Sequence, residues 1–180
     1  IPPAGRATTR PRPGRFPGER PGGETRESGR RGRRRRRGSR DLPAAGFAGK
    51  KGALKWPAKG VVEAGVGVEE DEVYGARRQR KGWDIRARFL AEVTAIAEGT
   101  VAHVGWMRGY GNVLVVDHGD GYLTIHAHLA RAEKGVGDRV AAGDLVAYVG
   151  DTASSKGPFL YFEIRHRGRP LDPAEWLERK

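Results

Sequence analysis

The chain has 180 residues, a formal net charge of +12 and no cysteine, so a disulfide framework, a thiolate zinc site and a cysteine nucleophile are all excluded. The charge is localised: residues 1–45 hold 14 arginines against four acidic residues (Glu19, Glu24, Glu27, Asp41), which is +10 of the total, while the remainder carries 20 basic and 18 acidic residues. No uninterrupted apolar run approaches the ~20 residues needed to span a bilayer, and a nucleic-acid role would rest on the basic segment alone.

Residues 1–45 are rich in Pro, Gly and Arg and include the run Arg33 to Arg37. A segment with so few large apolar residues buries too little surface to offset the entropy of ordering, which predicts a disordered basic linker. Two readings stay open for it: a solvated spacer, or an electrostatic tether to anionic head groups, wall polymer or nucleic acid. Phe16 is its lone aromatic, which counts against base stacking and hence against a specific nucleic-acid partner. The first residue is Ile1 and the opening lacks a signal-peptide core, so the chain reads as a fragment or a processed product.

Residues 46–180 carry the foldable sequence. Leu54 to Val62 open it, with Trp56 suited to a core and Pro57 holding Trp56 extended. Glu69 to Glu72 read as a short exposed acidic loop. From Lys81 onward come short apolar segments punctuated by glycine: Val93 to Ala97, Thr100 to Val104, Asn112 to His118, and Tyr122 to Leu129. Their lengths and spacing predict an all-β sandwich or barrel. Gly109-Tyr110-Gly111-Asn112 and His118-Gly119-Asp120-Gly121 read as tight turns, the second closing a hairpin. Val136 to Val146 holds a local Gly-Asp repeat, which suggests two similar turns.

The last strand, Gly157 to Arg165, alternates strictly. Leu160, Phe162 and Ile164 form an apolar set suited to a core, so Phe159, Tyr161, Glu163 and Arg165 should face a groove or solvent. Function is therefore sought on the odd-numbered face. Pro173 to Leu177 add at most one terminal helical turn.

Taken together, Gly109 to Asn112, Val116 to Tyr122, Ala127-His128-Leu129, the Gly-Asp repeat, Gly157-Pro158, Phe162-Glu163 and Asp172-Pro173 resemble a lysostaphin/LytM-type domain in order and spacing, over about residues 52–178. The resemblance implies a small β-sandwich of the duplicated hybrid motif type with a groove across one sheet. Active members are zinc endopeptidases acting on peptidoglycan cross-links. Biotinyl and lipoyl carrier domains share Gly-Asp repeats, but no suitably placed lysine at a hairpin tip is present here.

Carried over by position, the family's His-x-x-x-Asp pair falls on Arg80 and Asp84, its middle histidine on His128, and its His-x-His on Phe159 and Tyr161. Zinc catalysis needs about three protein ligands and an open water position. Arg80 brings a permanent cation, Phe159 offers no lone pair, and Tyr161 keeps a phenol near pKa 10. This pattern implies no metal, no cofactor, no catalytic residue and no peptidase activity. His128 then reads as an inert groove histidine, with His126 alternating onto the same face. A rescue ligand set of His126, His128 and Asp84 is the weaker alternative, and His103, His118 and His166 lie outside the motif.

Leu160 to Arg165, the following Pro170, Asp172-Pro173 and Trp176-Leu177, and the opening Lys51 to Pro57 are similar to the EnvC-type subgroup. That similarity implies a non-catalytic murein hydrolase activator in the periplasm or cell envelope. Its implied partner is a zinc amidase of the N-acetylmuramoyl-L-alanine type, freed from an autoinhibitory helix during cell separation. The implied contact surface is the degenerate groove: Arg80, Lys81, Tyr110, Val113, His126, His128, Phe159, Tyr161 and Arg165. Such proteins usually carry a coiled coil that receives a division-machinery signal; no heptads precede the domain here. An active zinc endopeptidase and a peptidoglycan-binding pseudoenzyme are the alternatives.

Overall fold

The computed structural model describes residues 46–70 and 77–179. The basic linker, and Asp71 and Glu72 of the expected acidic loop, lie outside them. The described residues form twelve strands and two short 3-10 turns: β1 (Val61–Ala64), β2 (Gly67–Glu70), β3 (Arg77–Arg80), β4 (Trp83–Arg86), β5 (Glu92–Thr94), β6 (Gly99–Met107), β7 (Gly111–Asp117), β8 (Tyr122–Ala132), β9 (Arg139–Val140), β10 (Leu145–Val149), β11 (Phe159–His166) and β12 (Arg169–Leu171). The all-β expectation holds.

Ten strands form one antiparallel sheet in the order β1-β4-β11-β8-β7-β6-β9, with β12 on β11, β10 on the far end of β8, and β5 on β10. β2 and β3 pair separately, Glu69 opposite Arg78 and Glu70 opposite Arg77. Glu69 and Glu70 therefore belong to a strand and not to a loop, because β3 supplies a backbone partner that the charge run conceals.

The inner face is built from alternating residues. Leu160, Phe162 and Ile164 of β11 join Ile85 of β4, Leu114 and Val116 of β7, Leu129 of β8, Val93 of β5 and Val146 and Val149 of β10 in one buried cluster. Burying each large member contributes about 1.5–3 kcal/mol. Ala95, Ile96 and Ala97 extend that cluster beyond β5, so the segment expected as one strand is part strand and part buried connection.

The turns follow the sequence signals. Gly119, Asp120 and Gly121 all take positive φ between β7 and β8, and Tyr122 N–H donates to the Gly119 carbonyl at 2.9 Å. The Gly-Asp repeat is a repeated turn in fact. Asp138 Oδ2 accepts from Gly135 N–H at 2.8 Å and Asp144 Oδ2 from Ala141 N–H at 2.9 Å, each after a glycine with φ near 90°. The opening segment meets the end of the domain through a parallel Leu54–Leu177 bridge, and Trp56 packs on Trp83 at 5.3 Å.

Candidate functional site

On the outer face of the sheet the register sets the motif positions side by side. Tyr161 lies opposite Asp84 on β4 and opposite Ala127 on β8. Arg80, at the end of β3, reaches back to Asp84, its Nη1 donating to Oδ2 at 3.0 Å. Both side chains are largely withdrawn from water, at 16% and 14% exposure, so this ion pair is far less screened than a surface one. Lys156, on the loop before β11, places its ammonium 3.6 Å from the same Oδ2.

His128 comes to this face through a break in alternation. Asn112 pairs with Leu129 and Leu114 with His126, so two residues of β8, Ala127 and His128, oppose Val113 alone. This is a β-bulge, and His128 absorbs it with φ of 59°, a region that costs a non-glycine residue about 1 kcal/mol or more. The ring thereby turns away from the inner face and packs on Phe159 at 4.4 Å, edge-on to Tyr161 at 6.5 Å. Its Nδ1 lies 2.7 Å from the Thr152 carbonyl. A carbonyl only accepts, so Nδ1 is the donor in this contact.

The same bulge separates the two histidines expected to share a face. His126 pairs with Phe162 and contacts its ring at 5.3 Å on the inner side. It is fully buried, and burial pushes its pKa down to about 4. Its Nδ1 lies 3.3 Å from the Leu114 carbonyl, while Nε2 has no hydrogen-bond partner among the described residues. His126 therefore neither lines the groove nor reaches a ligand set with His128 and Asp84. Val113 does lie on the outer face but is buried, so it supports the groove floor without offering contact area. Lys81 is exposed between β3 and β4.

Glu163 shares the odd-numbered face of β11 with Tyr161 and Arg165, as the alternation predicts. It is on the outer face yet fully buried, because its neighbours two residues either way on β11 close over it. Tyr161 donates its hydroxyl to Glu163 Oε2 at 3.0 Å, and Arg165 donates from Nε at 2.6 Å and Nη2 at 3.2 Å. Tyr110 meets Tyr161 edge-on at 5.4 Å. Burial first, with the Glu163 carboxylate and Tyr110 adding to it, pushes the Tyr161 phenol well above its ordinary range. It stays protonated and is no phenolate ligand. The hydrogen bond to Glu163 likewise raises the pKa of Arg165. Phe159 is buried, so it forms a wall under His128 and contributes little exposed surface.

Sequence reasoning missed three groups. Thr152 ties the loop after β10 to the groove: its Oγ1 accepts from Asn112 N–H at 3.0 Å and donates to the Leu129 carbonyl at 3.0 Å. Lys156 reaches Asp84 from a loop whose path no local pattern reveals. The anchoring role of Glu163 was visible in principle, since a carboxylate flanked at both i±2 positions by Tyr and Arg on one strand face has partners in reach.

A dication does not fit this donor set. Of the positions carried over for metal ligands, Arg80 is a cation already bonded to Asp84, and Tyr161 holds its proton and donates it to Glu163. What remains is one carboxylate, and a lone carboxylate does not make a zinc site.

Residues 78–173 match the family model described as Peptidase family M23. Murein hydrolase activator EnvC of Escherichia coli (strain K12) is 37% identical over 134 residues, covering 74% of this chain and 31% of that protein. Murein hydrolase activator NlpD of Salmonella dublin is 33% identical over 133 residues, covering 71% and 32%. The chain thus spans about a third of the length of these relatives. Among solved structures, a zinc containing peptidase from Vibrio cholerae superposes with a TM-score of 0.66 at 27% identity, over 72% of this chain and 41% of that one. With over half of its length inside the family match and the groove lying in that span, the chain belongs to peptidase family M23.

Proposed function

We propose that this domain is a non-catalytic activator of zinc amidases of the N-acetylmuramoyl-L-alanine type, working in the periplasm or cell envelope during cell separation. The observation that carries the reading is the Arg80–Asp84 bond, 3.0 Å long, at the position where a hydrolase of this family would hold its metal. The names of the EnvC and NlpD relatives support the activator role.

The outer face offers what an interface needs. Tyr161 and Tyr110 are half-buried aromatics held in place by each other and by Glu163, and Tyr and Arg dominate interface hot spots. An autoinhibitory helix that leaves the amidase active site and docks here is held in a state the free amidase rarely populates. Activation is then a population shift, and its size equals the difference in affinity for the two states.

The test is release of labelled peptidoglycan by an amidase, with and without the full chain. Stimulation by the wild type and its loss in Tyr161→Ala are expected, with no release by the chain alone. Release by the chain alone, together with stoichiometric zinc in metal analysis, would establish an endopeptidase and overturn the reading. Retention on peptidoglycan with an unchanged amidase rate would assign a wall-binding pseudoenzyme.

A further inference from the structure

Next to the Arg80–Asp84 pair lies a depression of about 440 Å³, and its lining includes Glu63, Val66, Val68, Arg80, Asp84 and Lys156. Both acids in it are already engaged. Glu63 accepts from Arg86 Nε, and Asp84 accepts from Arg80. Lys156 differs. Its side chain is 54% exposed and its ammonium pairs with Asp84 Oδ2 at 3.6 Å, beyond a sound hydrogen bond. Among the described residues its ammonium makes no hydrogen bond, so three donors remain for a ligand.

The rim is apolar. Val66 is 39% exposed and Val68 70%, and both border the same depression. An ammonium with unused donors beside exposed valines complements an acidic side chain carried on an otherwise apolar segment. Docking makes one charge-assisted hydrogen bond where water is partly excluded and covers the valines at the same time. Arg165 does not serve this purpose, because Glu163 already neutralises it through two bonds.

We infer that Lys156 and this depression form a carboxylate subsite for one Asp or Glu of the amidase's inhibitory segment, with Val66 and Val68 taking its apolar neighbours. The inference rests on the activator reading and specifies which cation in the groove the partner reads.

The experiment measures binding of the full chain to a purified amidase of this type at low and high salt, alongside peptidoglycan release. Lys156→Glu weakens binding at least tenfold and lowers stimulation in parallel. Lys156→Met weakens it less and flattens the salt dependence. Lys156→Met keeps the wild-type melting temperature, since the lysine side chain is 54% exposed and its contact with Asp84 is 3.6 Å long, and the melting temperature of Lys156→Glu, which sets a second carboxylate beside Asp84, separates lost contact from lost fold. A lysine scan across the acidic residues of the amidase's inhibitory segment finds one substitution that restores binding to Lys156→Glu and weakens binding to the wild type. Binding by Lys156→Glu equal to wild type, while Tyr161→Ala still abolishes it, overturns the subsite and leaves the activator role standing. Absence of wild-type stimulation overturns both. Loss of peptidoglycan retention with amidase binding intact assigns the depression to wall carboxylates and overturns the inference.

Discussion

The guanidinium of Arg165 closes on the carboxylate of Glu163 through two hydrogen bonds, 2.6 Å from Nε and 3.2 Å from Nη2, and so covers a charge that has no access to water. Glu163 also accepts the Tyr161 hydroxyl, so one buried carboxylate fixes two groove side chains. Burying an ion is costly unless its partners are in place, and here all of them come from the same strand.

Glu163→Gln keeps the shape and removes the charge, leaving Arg165 over a neutral amide. It should cost ~2–4 kcal/mol of unfolding free energy, somewhat below the ~3–5 of a wholly enclosed broken pair, since Arg165 keeps 29% of its side chain exposed. Denaturant titration of Glu163→Gln, Arg165→Met and the double variant measures the coupling; additive effects would show that the two groups act independently. Arg165→Glu, the obvious charge-reversal probe of the groove, sets two carboxylates together and destabilises the fold itself. Arg165→Met is therefore the variant that separates contact from stability.

Gly111 sits at φ 67° where a Cβ would lie 2.4 Å from the Thr152 carbonyl and 2.4 Å from its Oγ1. Gly109, two residues earlier at φ 82°, has open space around it. Gly109→Ala should thus cost only the left-handed strain of ~1–2 kcal/mol. Gly111→Ala adds the cost of displacing backbone, another ~1–3 kcal/mol, and shifts the Thr152 carbonyl that orients His128. Thermal unfolding of the two variants checks this; equal melting temperatures would refute the close approach.

Much of this was legible in the sequence, and the gaps have a common origin. The inner face of β11 followed from alternation over Leu160, Phe162 and Ile164. The turns at Gly119 to Gly121 and at the Gly-Asp repeat followed from residues tolerant of positive φ. The placement of His126 and His128 did not, because a bulge depends on how β8 registers against β7, and local pattern does not record a one-residue mismatch between two strands. The burial of Glu163 escaped for a related reason: a charge on a groove face reads as solvated until its flanking side chains are seen to fold over it. Lys156 and Thr152 lie on a loop whose path is set by contacts with distant strands.

The buried His126 predicts acid sensitivity with a definite sign. Burial holds its folded-state pKa at about 4, against an ordinary value of 6.5, so as pH falls through that interval the unfolded chain takes up a proton that the folded one refuses. Stability should decline from about pH 6.5 to about pH 4, by about 3 kcal/mol for this group, and then level off. His118, also pushed down by burial, adds a slope of the same sign. Subtracting the profile of His126→Leu from that of the wild type isolates His126. Parallel profiles for the two proteins would exclude a neutral, proton-refusing His126. At pH 7 the leucine variant loses a 3.3 Å contact but also removes an Nε2 with no hydrogen-bond partner among the described residues, so little net change is expected there.

The proposed loss of metal ligands can be tested by building a ligand set at these positions. Arg80 and Asp84 already touch, and Tyr161 is the cross-strand neighbour of Asp84, so Arg80→His with Tyr161→His puts two imidazoles beside one carboxylate. Three such ligands with an open fourth position are what zinc requires of a catalytic site. Added zinc should then raise the melting temperature of the double variant, by an amount equivalent to about 2.7 kcal/mol when free metal reaches a hundred times its dissociation constant, and a chelator should reverse the gain. The wild type should not respond, since its guanidinium occupies the carboxylate and its phenol keeps its proton. An equal zinc shift in the wild type would mean that Arg80 yields to the ion, and the groove would have to be understood as a metal site after all.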